Sequence, residues 1–466
     1  MNDYESRESG ENCDDYDVIV IGGGPGGSTA AGLTAAEGHR VLLLDKETFP
    51  RYQIGESLLP ATVHGICAML GLREEIERAG FVRKRGGTFS WGTSPEPWTF
   101  AFAASERMAG PTSYAYQVER TRFDTMLLGN AERLGADVRQ GHRVLGTVRV
   151  GGRVGGVRYT DDRGRERLAT ARFVVDASGH GSRVHHDVGG RREYSSFFRN
   201  LALFGYFLGG RRVPEPNAGN ILCAAFSHGW FWYIPLSAAL TSVGAVVKAE
   251  AAAKVQGDPE AAFAGLIGEC PLIKDFLADA RRATDPPYDR LRVRKDYSYD
   301  RTVLWCPGMV LVGDAACFID PVFSSGVHLA TYSALLAARS INSTLAGQVA
   351  EDRCFAEFEA RYRREFALFR DFLVAFYRMH TDERSYFWQA HRLTRQHGTD
   401  QQAFVDLVGG VSSADFSRGL ADDVLAEGAQ LQLRGMLGEA AGAEPPMFPG
   451  GLVPSPDGRR WLVPDV

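Results

Sequence analysis

The chain has 466 residues, 44% of them hydrophobic and 23% charged, with a formal net charge of −5. Such a length allows two or three domains, and the composition is that of a folded globular protein. The mild acidic excess gives no basic footprint for nucleic acid, the seven cysteines form no CxxC pair, so no metal site is expected, and no apolar run is long enough to span a membrane.

The first 15 residues (MNDYESRESGENCDD) are polar and acidic, lack the basic and apolar regions of a signal peptide, and read as a disordered lead. With scattered cysteines, the cytoplasm is the expected compartment. Asp17 to Ile21 is a short apolar run that predicts a strand buried on both faces. GGGPGGS follows at once, then a helix over Thr29 to Glu37 closed by Gly38, then a second buried strand from Val41 to Leu44 ending at Asp45. Together these make a β–turn–α–β unit of about 30 residues. Residues 56–80 predict helix, 86–118 strands, and Arg122 to Leu134 another helix. Glycine and aspartate mark hairpin turns over 151–168. Phe173 to Asp176 reads as a buried strand, 195–250 alternates like a large antiparallel sheet, and Val310 to Val312 returns to the parallel type. Residues 326–346 and 354–397 predict helix, and the chain beyond 400 reads as irregular. This interleaving predicts an α/β fold with α+β insertions. A Rossmann-type nucleotide domain (16–80, 110–190 and 296–345) encloses a substrate-side antiparallel sheet (81–109 and 191–295), and a helical C-terminal region (346–466) follows.

Gly22, Gly24 and Gly27 form GxGxxG between a strand and a helix. The first permits a tight turn, the second lets the backbone approach a pyrophosphate, and the third lets helix and strand pack closely. Asp45 lies about 20 residues beyond Gly24, where a carboxylate takes ribose hydroxyls. A lone GxGxxG is also an ordinary glycine-rich turn; the flanking strands and Asp45 favour a dinucleotide. A second signal comes far along the chain, where Gly313 and Asp314 follow the strand VLV. In FAD enzymes resembling aromatic hydroxylases such a pair closes on the ribityl and pyrophosphate, and Arg120 in VERTRFD resembles the arginine those enzymes place near the flavin. As simpler readings, Asp314 is an N-cap and Arg120 a surface residue at a helix start. No second GxGxxG between a strand and a helix marks a nicotinamide domain.

Three motifs resemble those of the flavin-dependent halogenases: Trp230-Phe-Trp232-Tyr-Ile234-Pro235, Phe318-Ile-Asp-Pro321-Val-Phe-Ser324-Ser-Gly326, and Lys84 in FVRKRGG. GESLLP at 55–60, LFGYF at 203–207 and FPGGLVPSPDG at 448–458 extend the resemblance to the phenol (tyrosyl) halogenases of glycopeptide-antibiotic and related nonribosomal peptide pathways. The resemblance implies FAD used as FADH2, chloride as co-substrate, and a separate flavin reductase. It implies that Trp230 and Trp232 wall the flavin off from the substrate, although alternate residues of a strand also share a face in ordinary cores. It implies that Ser324, Ser325 and Gly326 hold chloride. Lys84, which spacing alone does not distinguish from Arg83 and Arg85, would hold hypochlorous acid or form a chloramine. Tryptophan halogenases carry a glutamate where Phe323 aligns, which favours a phenol over an indole. The substrate so implied is a tyrosine-like residue on an acidic peptidyl carrier protein, with the arginine-rich stretch 361–395 as a docking face or simply a solvated helix. A flavin monooxygenase of the same fold and a non-catalytic flavin-binding partner of an assembly line are the alternatives.

Overall fold

The computed structural model describes residues 13–91, 96–108, 110–295, 298–378, 399–411 and 446–464. The first strand, Cys13–Ile21, starts ahead of its apolar run because Cys13 to Tyr16 pair with Leu168 to Ala171. The expected disordered lead is therefore shorter than 15 residues, and residues 1–12 lie outside the described ones. Parallel pairing joins Cys13–Ile21 to Val41–Asp45 on one side and to Glu166–Asp176 on the other. Met309–Leu311 and Asp137–Gln140 extend this sheet, also in parallel, and Arg143–Val150 with Arg153–Thr160 form the antiparallel hairpin leading into Glu166–Asp176. Val18, Ile19, Val20, Leu42 and Leu43 are wholly buried, as expected of a sheet covered on both faces. The helix Pro25–Ala35 begins inside the glycine turn rather than at Thr29, with Pro25 at its first turn, where a missing N–H costs nothing.

The second sheet runs in the order Arg281–Arg282, Leu201–Leu208, Leu240–Val247, Gly229–Pro235, Ile221–Phe226, Gly86–Ser90, Trp98–Ala101, with Arg292–Lys295 along the same edge of Leu201–Leu208. It is mixed rather than purely antiparallel, because Ile221–Phe226 and Gly86–Ser90 run parallel. Alternation along Gly229–Pro235 serves two cores: Trp230, Trp232 and Ile234 join the main core, while Phe231 and Tyr233 pack with Phe263, Leu266 and Ile273 from the helices Pro259–Gly268 and Pro271–Phe276.

Residues 56–80 are only partly helical. Ser57 bridges Gln117 in extended conformation, a wide-turn helix spans Ala61–Cys67, Gly71 turns the chain at φ +73, and a short helix spans Arg73–Arg78. The long C-terminal helix covers Glu351–Arg378, and its expected continuation to 397 falls outside the described residues. Beyond 400 the chain is not simply irregular. Asp400–Val408 is a helix fixed by a reciprocal capping box between Thr399 and Gln402, with Phe404, Val405 and Leu407 buried. Near the C-terminus, Val453–Pro454 and Trp461–Leu462 pair, and buried Trp461 stacks under Arg339 and Arg361. No described helix is long and apolar enough to cross a membrane.

Candidate active site

The glycine turn allows no larger side chain where strand meets helix. Gly22 stands at φ +100, and a Cβ on Gly27 would fall 1.8 Å from the Gly22 carbonyl oxygen. Asp45, at the end of the next strand, accepts the Gly23 N–H at 2.6 Å and the Glu47 N–H at 2.8 Å. Gly24 lies under the Arg51 guanidinium, 3.1 Å from where its Cβ would stand. A cavity beside the turn is lined by Gly22, Asp45, Lys46, Arg143, Ser178 and Arg183. Turn amides, a helix N-terminus, a carboxylate and several cations in one cleft fit an adenine dinucleotide.

Asp314 lies at the end of the parallel strand Met309–Leu311, after Gly313, which adopts φ +57 and donates its N–H to Ser333 Oγ at 2.9 Å. The Asp314 carboxylate accepts no hydrogen bond from the described residues, and burial raises it to about 6 against the pull of Arg120. An acceptor left without a protein donor fits the hydroxyls of a ribityl chain. Arg120 is not the surface arginine of the simpler reading. It is 6% exposed, grips Asp124 with two nitrogens at 2.7 and 2.8 Å, and donates to the Ile54 carbonyl at 2.6 Å. It thereby fixes the 54–55 backbone and leaves its charge facing Asp314 and Glu56.

Ser324 is the one non-glycine residue with positive φ among the described residues (φ 60, ψ 25), a conformation that costs roughly 1–3 kcal/mol. It caps the helix Ser325–Leu345, and the turn before it is held by Asp320, which accepts the Val322 N–H at 3.1 Å. Ser325 is fully buried and its Oγ has no hydrogen-bond partner. An unmatched hydroxyl at the positive end of a long helix fits a small anion such as chloride.

Trp230 and Trp232 are 2% and 6% exposed, with ring centroids 6.3 Å apart. Each indole N–H is held: Trp230 donates to Tyr377 Oη at 2.6 Å, and Trp232 to Ser242 Oγ at 3.2 Å. Tyr377 donates in turn to Asp320 at 2.9 Å, which ties the Trp230 indole to the serine turn. The structure separates Lys84 from its basic neighbours by burial: Arg83 and Arg85 are exposed and Lys84 is 2% exposed. Lys84 donates to the Leu58 carbonyl at 3.0 Å, lies 5.6 Å from the centre of the Phe102 ring, and burial lowers its ammonium to about 7. Its charge is felt by Cys223, whose thiol contacts the Val322 carbonyl at 3.9 Å, so strand Ile221–Phe226 links the lysine to the serine turn.

Phe323 stands in a cage of aromatic rings, stacked on Phe372 at 5.1 Å and meeting Phe376 at 4.8 Å, with Phe89 and Phe404 at 6.1 and 6.3 Å. Phe404 comes from the helix Asp400–Val408, in a part of the chain whose sequence reads as irregular. Two further features were missed. Arg51 over Gly24 and Arg183 in the cavity lining belong to no local pattern, and Glu56 is a buried carboxyl inside GESLLP. Within the described part of the 361–395 stretch, Arg361 is paired with Glu357 at 2.6 Å and Arg363 with Glu359 at 2.6 Å, which weakens it as a free basic face.

A family model described as tryptophan halogenase matches residues 17–111 and 104–421. A tryptophan 2-halogenase of Chondromyces crocatus is 36% identical over 384 residues, covering 81% of this chain and 71% of that protein. A flavin-dependent halogenase of Penicillium aethiopicum is 32% identical over 379 residues, covering 76% and 69%. Among solved structures, the FAD-dependent myxobacterial chondrochloren halogenase matches with TM-score 0.79 at 55% identity, over 96% of this chain and 100% of that one. The flavin-dependent halogenase CmlS matches with TM-score 0.73 at 31% identity, over 96% and 84%.

Proposed function

The chain belongs to the flavin-dependent halogenase family, and from that premise we propose that it chlorinates the phenol ring of a tyrosine-like residue carried on a peptidyl carrier protein. Enzymes of this family use FAD as FADH2 with chloride and draw on a separate flavin reductase, so halogenation takes precedence over hydroxylation and over a non-catalytic role. The observation that carries the substrate reading is the cage around Phe323. It holds aromatic rings where the resemblance puts a glutamate in tryptophan halogenases, so no carboxylate is offered there to orient or activate an indole. A phenol needs none, because partial loss of its own proton directs chlorine to the ortho carbon.

Bound reduced FAD supplies the electrons with which dioxygen oxidises chloride. The residues of this chain do the rest. Gly22, Gly24, Gly27 and Asp45 hold the adenosine diphosphate, with Gly313 and Asp314 on the ribityl side and the Arg120 charge behind them. Ser324, Ser325 and Gly326 hold chloride at the start of their helix. Trp230 and Trp232 exclude water and keep the substrate from the flavin. Lys84, its ammonium lowered to about 7 by burial, receives the oxidised chlorine and presents it to the ring, either as an ammonium hydrogen-bonded to hypochlorous acid or as an amine. The nucleotide part comprises 16–80, 110–190 and 296–345, the substrate-side sheet 81–109 and 191–295, and the C-terminal part 346–466. An acidic carrier would find exposed cations at Arg290, Arg294 and Lys295, beside and along the edge strand Arg292–Lys295.

The relative named tryptophan 2-halogenase favours one other reading, free tryptophan as substrate. Mass spectrometry separates them. Enzyme, FAD, a flavin reductase, NADH and chloride are incubated with tyrosine, tryptophan, and tyrosyl and β-hydroxytyrosyl thioesters of a carrier protein. The proposal expects chlorine on the thioesters; efficient chlorination of free tryptophan with none on the thioesters would overturn it.

A further inference from the structure

Halogenation consumes a proton. Reduced FAD, dioxygen, chloride, an aryl C–H and one H+ become oxidised FAD, an aryl C–Cl bond and two waters. Dioxygen takes four electrons, two from the flavin and two from the C–H and chloride together, and the H+ balances the charge of the chloride. A site walled by indoles and phenylalanines therefore needs a route for one proton per turnover.

We propose that Glu56, Tyr206 and Tyr52 form this route, with Glu56 giving the proton to the site and the two tyrosines returning one from the surface. Glu56 is 2% exposed and lies between the parts of the site. The neighbouring Gly55 approaches Val327, just beyond Gly326, to 3.9 Å from where its Cβ would stand. On the other side Ser242, whose hydroxyl holds the Trp232 indole, lies close enough to the Glu56 carboxylate to favour its charged form. Tyr206 Oη donates to Glu56 Oε1 at 2.7 Å, and the Tyr52 and Tyr206 hydroxyls lie 2.8 Å apart. Tyr206 is fully buried, whereas Tyr52 is half-buried under the Arg292 guanidinium, which sits 3.8 Å from its ring centre. Glu56 Oε2 is buried without a hydrogen-bond partner. One oxygen is thus wired to the surface and the other is open, the arrangement a proton relay needs.

The charges around the relay keep it balanced. Burial raises the Glu56 carboxyl to about 7, against Ser242, Tyr206 and Arg120, which favour the carboxylate, while Glu119 repels it. Asp314 lies beyond Arg120, and Arg292 and Arg294 face Tyr52. A carboxyl so placed gives and regains a proton at neutral pH without a large barrier either way.

This inference rests on halogenation but not on the identity of the organic substrate, so the test uses chloride and dioxygen alone. Full-length protein with oxidised FAD is titrated by infrared difference spectroscopy. A protonated carboxyl C=O band should disappear near pH 7, be missing in Glu56→Gln, and move to higher pH in Tyr206→Phe, which loses a bond to the carboxylate. FAD-bound protein is then photoreduced and mixed with oxygenated chloride buffer. Glu56→Gln should slow the chloride-dependent phase by roughly a hundredfold, remove its decline above neutrality, and alter its solvent isotope effect. A chloride-dependent phase and pH profile matching wild type, or a loss of rate that keeps the wild-type pH profile, would overturn the proposal. If Glu56→Gln does not retain FAD, Tyr206→Phe decides, because it leaves Glu56 in place: an unchanged rate and isotope effect there also overturn it.

Discussion

Replacing Lys84 with methionine should stabilise the protein and abolish chlorination together. Lys84 is 2% exposed, donates one hydrogen bond to the Leu58 carbonyl, and meets no carboxylate among the described residues. Burial brings its ammonium from 10.5 to about 7. The unfolded chain keeps the proton up to 10.5 and the folded one only to about 7, so between these values unfolding takes up a proton and stability rises with pH. Below that window the folded protein carries the full cost of a charged buried lysine, on the order of 5 kcal/mol. Methionine has similar volume and removes that cost, giving up a charged hydrogen bond of about 1.5–3 kcal/mol. The net gain is about 2–3.5 kcal/mol in the acid limit, and it shrinks by about 1.4 kcal/mol per pH unit above neutrality, vanishing or reversing by about pH 9. Urea unfolding of FAD-saturated wild type and Lys84→Met at pH values inside and below the window measures it, and mass spectrometry follows chlorination. A stability difference that does not change with pH would refute the depressed ammonium. Chlorination near the wild-type rate would remove Lys84 from the reaction.

Gly244→Ala would put a Cβ 2.2 Å from the Trp232 ring, so it should cost about 1–3 kcal/mol of stability and displace the indole; chlorinated product per dioxygen consumed should fall, and unchanged coupling would count against the wall. Ser325→Ala removes a hydroxyl that has no protein partner, so thermal stability should hold while the chloride concentration for half-maximal rate rises about tenfold; an unchanged chloride dependence would place the halide elsewhere. Asp314→Asn should weaken FAD binding by about tenfold in a fluorescence titration. Because burial holds this carboxyl at about 6, wild-type affinity should fall as pH drops through 6 while the variant stays flat; parallel profiles would separate Asp314 from the flavin.

What the sequence by itself determined is local. GxGxxG with its flanking strands is readable because its constraints, a tight turn and a helix start, act between neighbours within one unit. Period-two alternation likewise sets Lys84 with Val82 on the face opposite Arg83 once the strand is known. Tertiary structure decided the features that depend on distant partners. Arg51 meets Asp124, Glu56 meets Tyr206, and Trp230 meets Tyr377, and no spacing in the chain encodes such pairs. The helix Asp400–Val408 shows the same division. Its capping box was present in the residues, but its single turn-and-a-half of apolar side chains carries too weak a period to stand out. It forms because Phe404 closes the cage around Phe323, Phe372 and Phe100, apolar surface assembled from three other segments of the chain. Glu56 looked like one polar letter in a motif; its burial beside the tryptophan wall, which sets its proton affinity, exists only after the two sheets have packed.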